Sequence, residues 1–116
     1  MFKEHLKKLV DNVDGALAAL LMEFDGIQVE NYIKNDLDIK TLGVEFSQIM
    51  IHVKRTASIL EVGNLEELMI KTDDKIIVFR VVNKNYFIAV ALDADGNFGK
   101  ARFVARLTVP RMLEEF

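Results

Sequence analysis

Apolar residues recur on one side of the first dozen positions. Phe2, Leu6, Leu9, Val10 and Val13 share a face that Lys3, Lys7, Lys8 and Asp11 avoid, which predicts a helix over 2–13, stopped by Asp14-Gly15. Ala16 to Met22 is wholly apolar, Ile27 to Ile33 alternates, and Asp25-Gly26 between them reads as the turn of a hairpin. A strand apolar on both sides belongs inside a sheet covered on both faces. Polar residues from Lys34 to Lys40 lead into a long helix predicted over 41–62, with Gly63-Asn64 as its stop. Three strands follow. Leu65 to Thr72 carries Glu66, Glu67 and Lys71, which suits an edge, and Lys75 to Val82 and Tyr86 to Leu92 follow it through short polar turns. Such tight connections imply an antiparallel meander. A last helix is expected from about Gly99, kinked or broken at Pro110. The order gives one domain over 1–116, α/β (α+β) in content. It has a five-stranded antiparallel sheet with the long helix on one face and the two terminal helices on the other.

The long helix carries two apolar groups. At about 100° per residue, Leu42, Phe46, Ile49, Met50, Val53, Ala57 and Leu60 form a stripe wide enough to pack on the sheet. Val44, Ile51, Ile59 and Val62 fall roughly opposite, with His52 and Arg55 on the same outer side. Large aliphatics along an outer face call for a partner to cover them, unless loops do so or the helix is rotated from this placement. The strand after this helix, with Leu65, Leu68 and Ile70, is long enough to pair with its own copy across a two-fold axis and set two long helices side by side.

Composition removes several function classes. The chain has 116 residues, 51% of them hydrophobic, so it folds; it has no cysteine, which removes disulfides, thiolate metal sites and cysteine nucleophiles. The net charge of −3 argues against a nucleic-acid partner. Charges interrupt the N-terminus, and the longest apolar run, Ala16 to Met22, is far short of the roughly 20 residues a membrane span needs. A cytoplasmic protein with no membrane insertion is expected.

No catalytic constellation emerges. Asp93-Ala94-Asp95-Gly96-Asn97 hints at a calcium loop, but Phe98 stands where glycine is needed and Val104 where the bidentate glutamate is needed. Neither a phosphate-binding Gly-x-x-x-x-Gly-Lys-Ser/Thr loop nor a Gly-x-Gly-x-x-Gly turn is present. His5 and His52 lack partners at ligand spacing, and Ser47 and Ser58 lie in mid-helix rather than on a strained turn. No metal, cofactor or enzymatic activity is expected. Arg55 fits a solvated or interface-rim role better than an arginine finger. Arg80, among Ile76, Val78 and Val82, must reach water or a carboxylate and reads as structural. The adjacent acids Glu66-Glu67, Asp73-Asp74 and Glu114-Glu115 read as solvating charges.

The run from Val13 to Glu30, VDGALAALLMEFDGIQVE, resembles the signature hairpin of the Roadblock (dynein light chain) family: a small-residue strand opening on Gly-Ala and turning through Asp-Gly-Ile. The element order matches that family over nearly the whole chain. Asp95 to Phe103, DGNFGKARF, resembles the start of the last helix in bacterial MglB-type members. The resemblance implies a Roadblock, profilin-like fold and a homodimer or Roadblock heterodimer whose sheets join edge to edge. It implies that the aligned long helices receive a small Ras-like GTPase. In MglB-type members such binding accelerates GTP hydrolysis by repositioning the GTPase's own residues; other members are scaffolds or motor adaptors. Some MglB-type members carry a long tail after the last helix; with the sequence ending at Phe116, no function assigned to that tail is expected here. The residues expected to meet a GTPase are Val44, Ile51, His52, Arg55, Ile59 and Val62, and those expected at the dimer contact are Leu65, Leu68 and Ile70. A non-catalytic scaffold in a motor or cell-polarity complex is the alternative, and a small-molecule sensor is a third reading with few candidate polar groups.

Overall fold

Short polar turns leave no room for crossover helices, so the strands they join run antiparallel. The computed structural model describes residues 1–116 and contains α1 (Phe2–Asp11), β1 (Ala16–Glu23), β2 (Gln28–Ile33), α2 (Ile39–Leu60), β3 (Glu67–Lys71), β4 (Lys75–Val81), β5 (Tyr86–Asp93) and α3 (Phe98–Leu113). All pairings are antiparallel, in the order β2-β1-β5-β4-β3. The expected five-stranded sheet is therefore present, with β2 and β3 at its edges. The apolar strand β1 sits between β2 and β5, buried along nearly its whole length.

The side-chain alternation of the strands sorts the core into two layers. On one face Ala19, Leu21, Val78 and Val90 meet Leu6, Leu9 and Val10 of α1 and Ala101, Ala105 and Met112 of α3. On the other face Ala18, Leu20, Met22, Phe79, Phe87 and Ala89 meet Ile39 and Met50 of α2. The layer assignment read from the sequence is thus the one observed.

Three local details depart from the sequence reading. Helix α2 ends at Leu60, before Gly63-Asn64. Its cap is Glu61, in the left-handed region at φ 55°, and the Glu61 and Val62 amides donate to Ser58 and Ala57 oxygens at 3.2 Å each. This is the doubly bonded arrangement that glycine usually supplies. Helix α3 runs through Pro110 to Leu113. Pro110 is exposed and one turn from the end, so a single intrahelical bond is lost and the ring turns away from the core. Strand β3 starts at Glu67, so Leu65 lies in the connection rather than on the strand.

The Asp93–Asn97 loop serves the fold. Asp93 and Asn97 amides donate to the Gly15 and Asp14 oxygens at 2.9 Å each. The two turns touch so closely that a β-carbon on Gly15, at φ 85°, would stand 2.5 Å from Gly96 Cα. Asn97 then caps α3, its Oδ1 accepting from the Lys100 amide at 3.0 Å.

Candidate functional site

The surface with most to explain is that of α2 and the strand edge after it. The helix starts on Asp38, whose carboxylate accepts from the Thr41 amide at 3.1 Å and the Thr41 hydroxyl at 2.7 Å. The backbone bond from Thr41, with its hydroxyl bond next, holds the Asp38 carboxyl below the usual aspartate range.

The residues that face the sheet are Ile39, Gly43, Ser47 and Met50. Their spacing marks the true inner line, rotated by roughly 60–70° from the stripe read off the large aliphatics, at 100° per residue. The small residues explain it. A β-carbon on Gly43 would lie 2.6 Å from Leu20 Cδ2 and 2.8 Å from Met22 Cε, so the helix backbone rests directly on β1. Ser47, 3% exposed, satisfies its hydroxyl internally by donating to the Val44 oxygen at 2.7 Å. Bulky residues flank this line on both sides. Leu42 and Phe46 pack on one flank, with the Phe46 ring 5.6 Å from that of Phe79, and Val44 and Ile51 pack on the other.

That rotation moves several residues. Val44 and Ile51 are half-buried against the core and are not on the outer face. Ile49 and Leu60, expected beneath the helix, are exposed. His52, Arg55, Ile59 and Val62 are exposed as expected. The outer ridge therefore reads Gln48, His52, Arg55 and Ile59, mostly polar. Beside it lies a shallow hollow of about 410 Å³ between Glu45, Phe46, Gln48, Ile49 and His52. The sequence reading passes over Gln48 and places Ile49 beneath the helix; only the small-residue line through Gly43 and Ser47 could have placed both on the outside.

Apolar exposure is concentrated at the far end of the helix. Ile59 is 73% exposed, Leu60 63% and Val62 72%. There the helix lifts from the sheet, and a cleft of about 580 Å³ opens between Lys54, Ala57 and Glu61 on one side and Leu65, Val81 and Asn83 on the other. Lys54 bridges the near end: its Nζ donates to the Lys84 oxygen at 3.1 Å and sits 3.8 Å from the centre of the Phe24 ring. Beyond the cleft, β3 ends the sheet with one edge unpaired. Leu68 and Ile70 turn toward the α2 side and pack half-buried on its core, so that edge presents backbone groups rather than those side chains.

No three His, Asp or Glu side chains converge as a metal site would require, and no helix is long and apolar enough to cross a membrane.

The family described as Roadblock/LC7 domain matches residues 2–92. The solved structure of MglC from Myxococcus xanthus is 37% identical, covers 97% of this chain and 97% of its own, and superposes with a TM-score of 0.72. A Roadblock/LC7 domain from Streptomyces avermitilis shares the fold at a TM-score of 0.87 and 11% identity, covering 97% and 95% of the two chains. The gliding protein MglB of Thermus thermophilus does so at 0.83 and 16%, covering 97% and 88%. A comparison with curated protein sequences finds no significant match.

Proposed function

The chain belongs to the Roadblock/LC7 family, and from that footing we propose that it acts as a dimeric, non-enzymatic regulator of a small Ras-like GTPase. The observation that carries the dimer is the exposed Ile59, Leu60 and Val62 standing beside the unpaired edge of β3. Pairing two such edges extends the sheet, satisfies the free backbone groups and sets the apolar ends of two long helices against each other. Leu68 and Ile70 support the edge from within, and Leu65 lines the cleft that a second copy would close.

The GTPase then meets the paired outer ridges. Gln48, His52 and Arg55 recur at helical spacing on the exposed side, with the hollow around Ile49 beside them and Ile59 continuing the line into the contact between the two helices. Val44 and Ile51 contribute from below by fixing the helix rather than by contact. Any change in hydrolysis rate then arises from geometry imposed on the partner's own residues. A non-catalytic scaffold in a gliding or polarity complex is the second reading. It is favoured by the polar character of the ridge and by a likeness to gliding protein MglB that is one of fold, at 16% identity.

The experiment is a titration of this protein into a cognate Ras-like GTPase loaded with GTP or GDP, reading complex mass and single-turnover hydrolysis. A complex abolished by Arg55→Glu, with faster hydrolysis, supports the regulator. A complex with unchanged hydrolysis selects the scaffold. Absence of a complex with either nucleotide contradicts both.

A further inference from the structure

Helix α3 lies on the opposite side of the sheet from α2, so its outer face is separate from the α2 ridge. Its sixteen residues carry Lys100, Arg102, Arg106 and Arg111 and no acid, in a chain whose net charge is −3. Opposite its buried line, Phe103, Leu107 and Pro110 recur at i, i+4 and i+7. Phe103 is 51% exposed and Leu107 46%.

This stripe borders a concave site. Between α3 and the β3–β4 pair lies a cleft of about 230 Å³ lined by Glu67, Arg80, Gly99, Arg102, Phe103 and Arg106. Arg102 is engaged: its Nε and Nη2 donate to Glu67 Oε1 and Oε2 at 2.7 and 2.9 Å. Arg80, half-buried and directly across the strand pair from Glu67, forms no ion pair. Arg106 forms none either; its guanidinium stands 5.7 Å from the centre of the Phe103 ring. Three guanidiniums thus share one carboxylate. Hydrogen bonding to Arg102 holds the Glu67 carboxyl below its ordinary range, and the charges of Arg80 and Arg106 act in the same direction.

We infer that this cleft and the adjoining stripe form a docking site for an acidic, apolar-anchored peptide segment of a partner protein. A carboxylate of the segment enters between Arg80 and Arg106, and its apolar side chains lie on Phe103 and Leu107. Guanidiniums suit this task because their planar donors match carboxylates two at a time. The recess favours a peptide over a membrane: a flat anionic surface meets the rim of α3 but does not reach half-buried Arg80.

The test is fluorescence anisotropy of a fluorescein-labelled peptide alternating Glu with Phe and Leu, against the full chain, with the Gln-for-Glu peptide as control. The expected result is saturable binding of the acidic peptide, lost at about 0.5 M salt, with the control peptide roughly tenfold weaker. Arg106→Gln and Arg80→Gln should each weaken binding severalfold while leaving the melting temperature near that of the parent. Lys54→Gln on the other face should have no effect. Arg106 is exposed, so its variant folds even if Arg80→Gln does not. An Ile59→Arg protein, whose self-association is disrupted, should bind the peptide as the parent does, which separates this site from the proposed platform. Equal binding of the two peptides, or unaltered binding by Arg106→Gln, overturns the inference. So does attachment to phosphatidylglycerol vesicles without binding of the peptide.

Discussion

Gly43 lies against Leu20 so closely that a β-carbon on the glycine would stand 2.6 Å from Leu20 Cδ2. Both contacted side chains, Leu20 and Met22, are fully buried, so neither can swing aside freely. Alanine would gain helix propensity of about 1 kcal/mol yet overpack a closed layer by about 1–3 kcal/mol. Gly43→Ala should therefore lose about 1 kcal/mol net, and Gly43→Val more, read as a fall in urea midpoint at unchanged slope.

The same contact fixes which aliphatics face outward. Ile51→Arg should be destabilising by about 1–3 kcal/mol, because it drives a charge into a half-buried position. Ile59→Arg, at a position 73% exposed in the single chain, should leave the protomer folded, with a melting temperature within a degree or two of the parent's at a concentration where the parent is also a single chain. Thermal denaturation of the two variants side by side checks the rotation of α2.

Glu61 occupies a backbone conformation that favours glycine, at φ 55°. Glu61→Gly should keep both capping hydrogen bonds, relieve the strain and stabilise the protein by about 0.5–1 kcal/mol. Chemical denaturation of the variant measures the gain.

The Arg102–Glu67 pair ties α3 to the edge strand, and it predicts a pH dependence. Arg102 holds the folded-state Glu67 carboxyl below its ordinary 4.5. The folded protein therefore prefers the ionised form more than the unfolded chain does. That stability is fully present above about pH 4.5 and is lost as pH falls through the lower folded-state value. Glu67→Gln should melt slightly below the parent at neutral pH, and the two curves should converge in acid. Melting temperatures from pH 7 to pH 3 test this.

The fold was largely legible because its signals are local. The Asp25-Gly26 turn, the short polar links around β4 and the all-apolar β1 name the strands, their direction and the covered faces. What escaped depends on contacts between distant residues. Large aliphatics advertise a helix face, yet here Gly43 and Ser47 make the closest approach, so the apparent stripe is turned away from the true one. Glu61 violates a local preference that its capping hydrogen bonds override, and Pro110 violates one that its exposed place in the last turn makes tolerable. The arginine cleft joins positions 67, 80, 102 and 106 from three elements, which no spacing rule connects. The one sequence signal for it, four cations without an acid along α3, was available in the residues themselves.

The central claim is that the free β3 edge and the exposed end of α2 hold two copies together. Sedimentation equilibrium over a wide concentration range tests it directly. The account predicts twice the chain mass of 13.2 kDa for the parent and a shift to the single-chain mass for the Ile59→Arg, Val62→Arg double variant, which remains folded. A parent protein that sediments at 13.2 kDa throughout that range would contradict it.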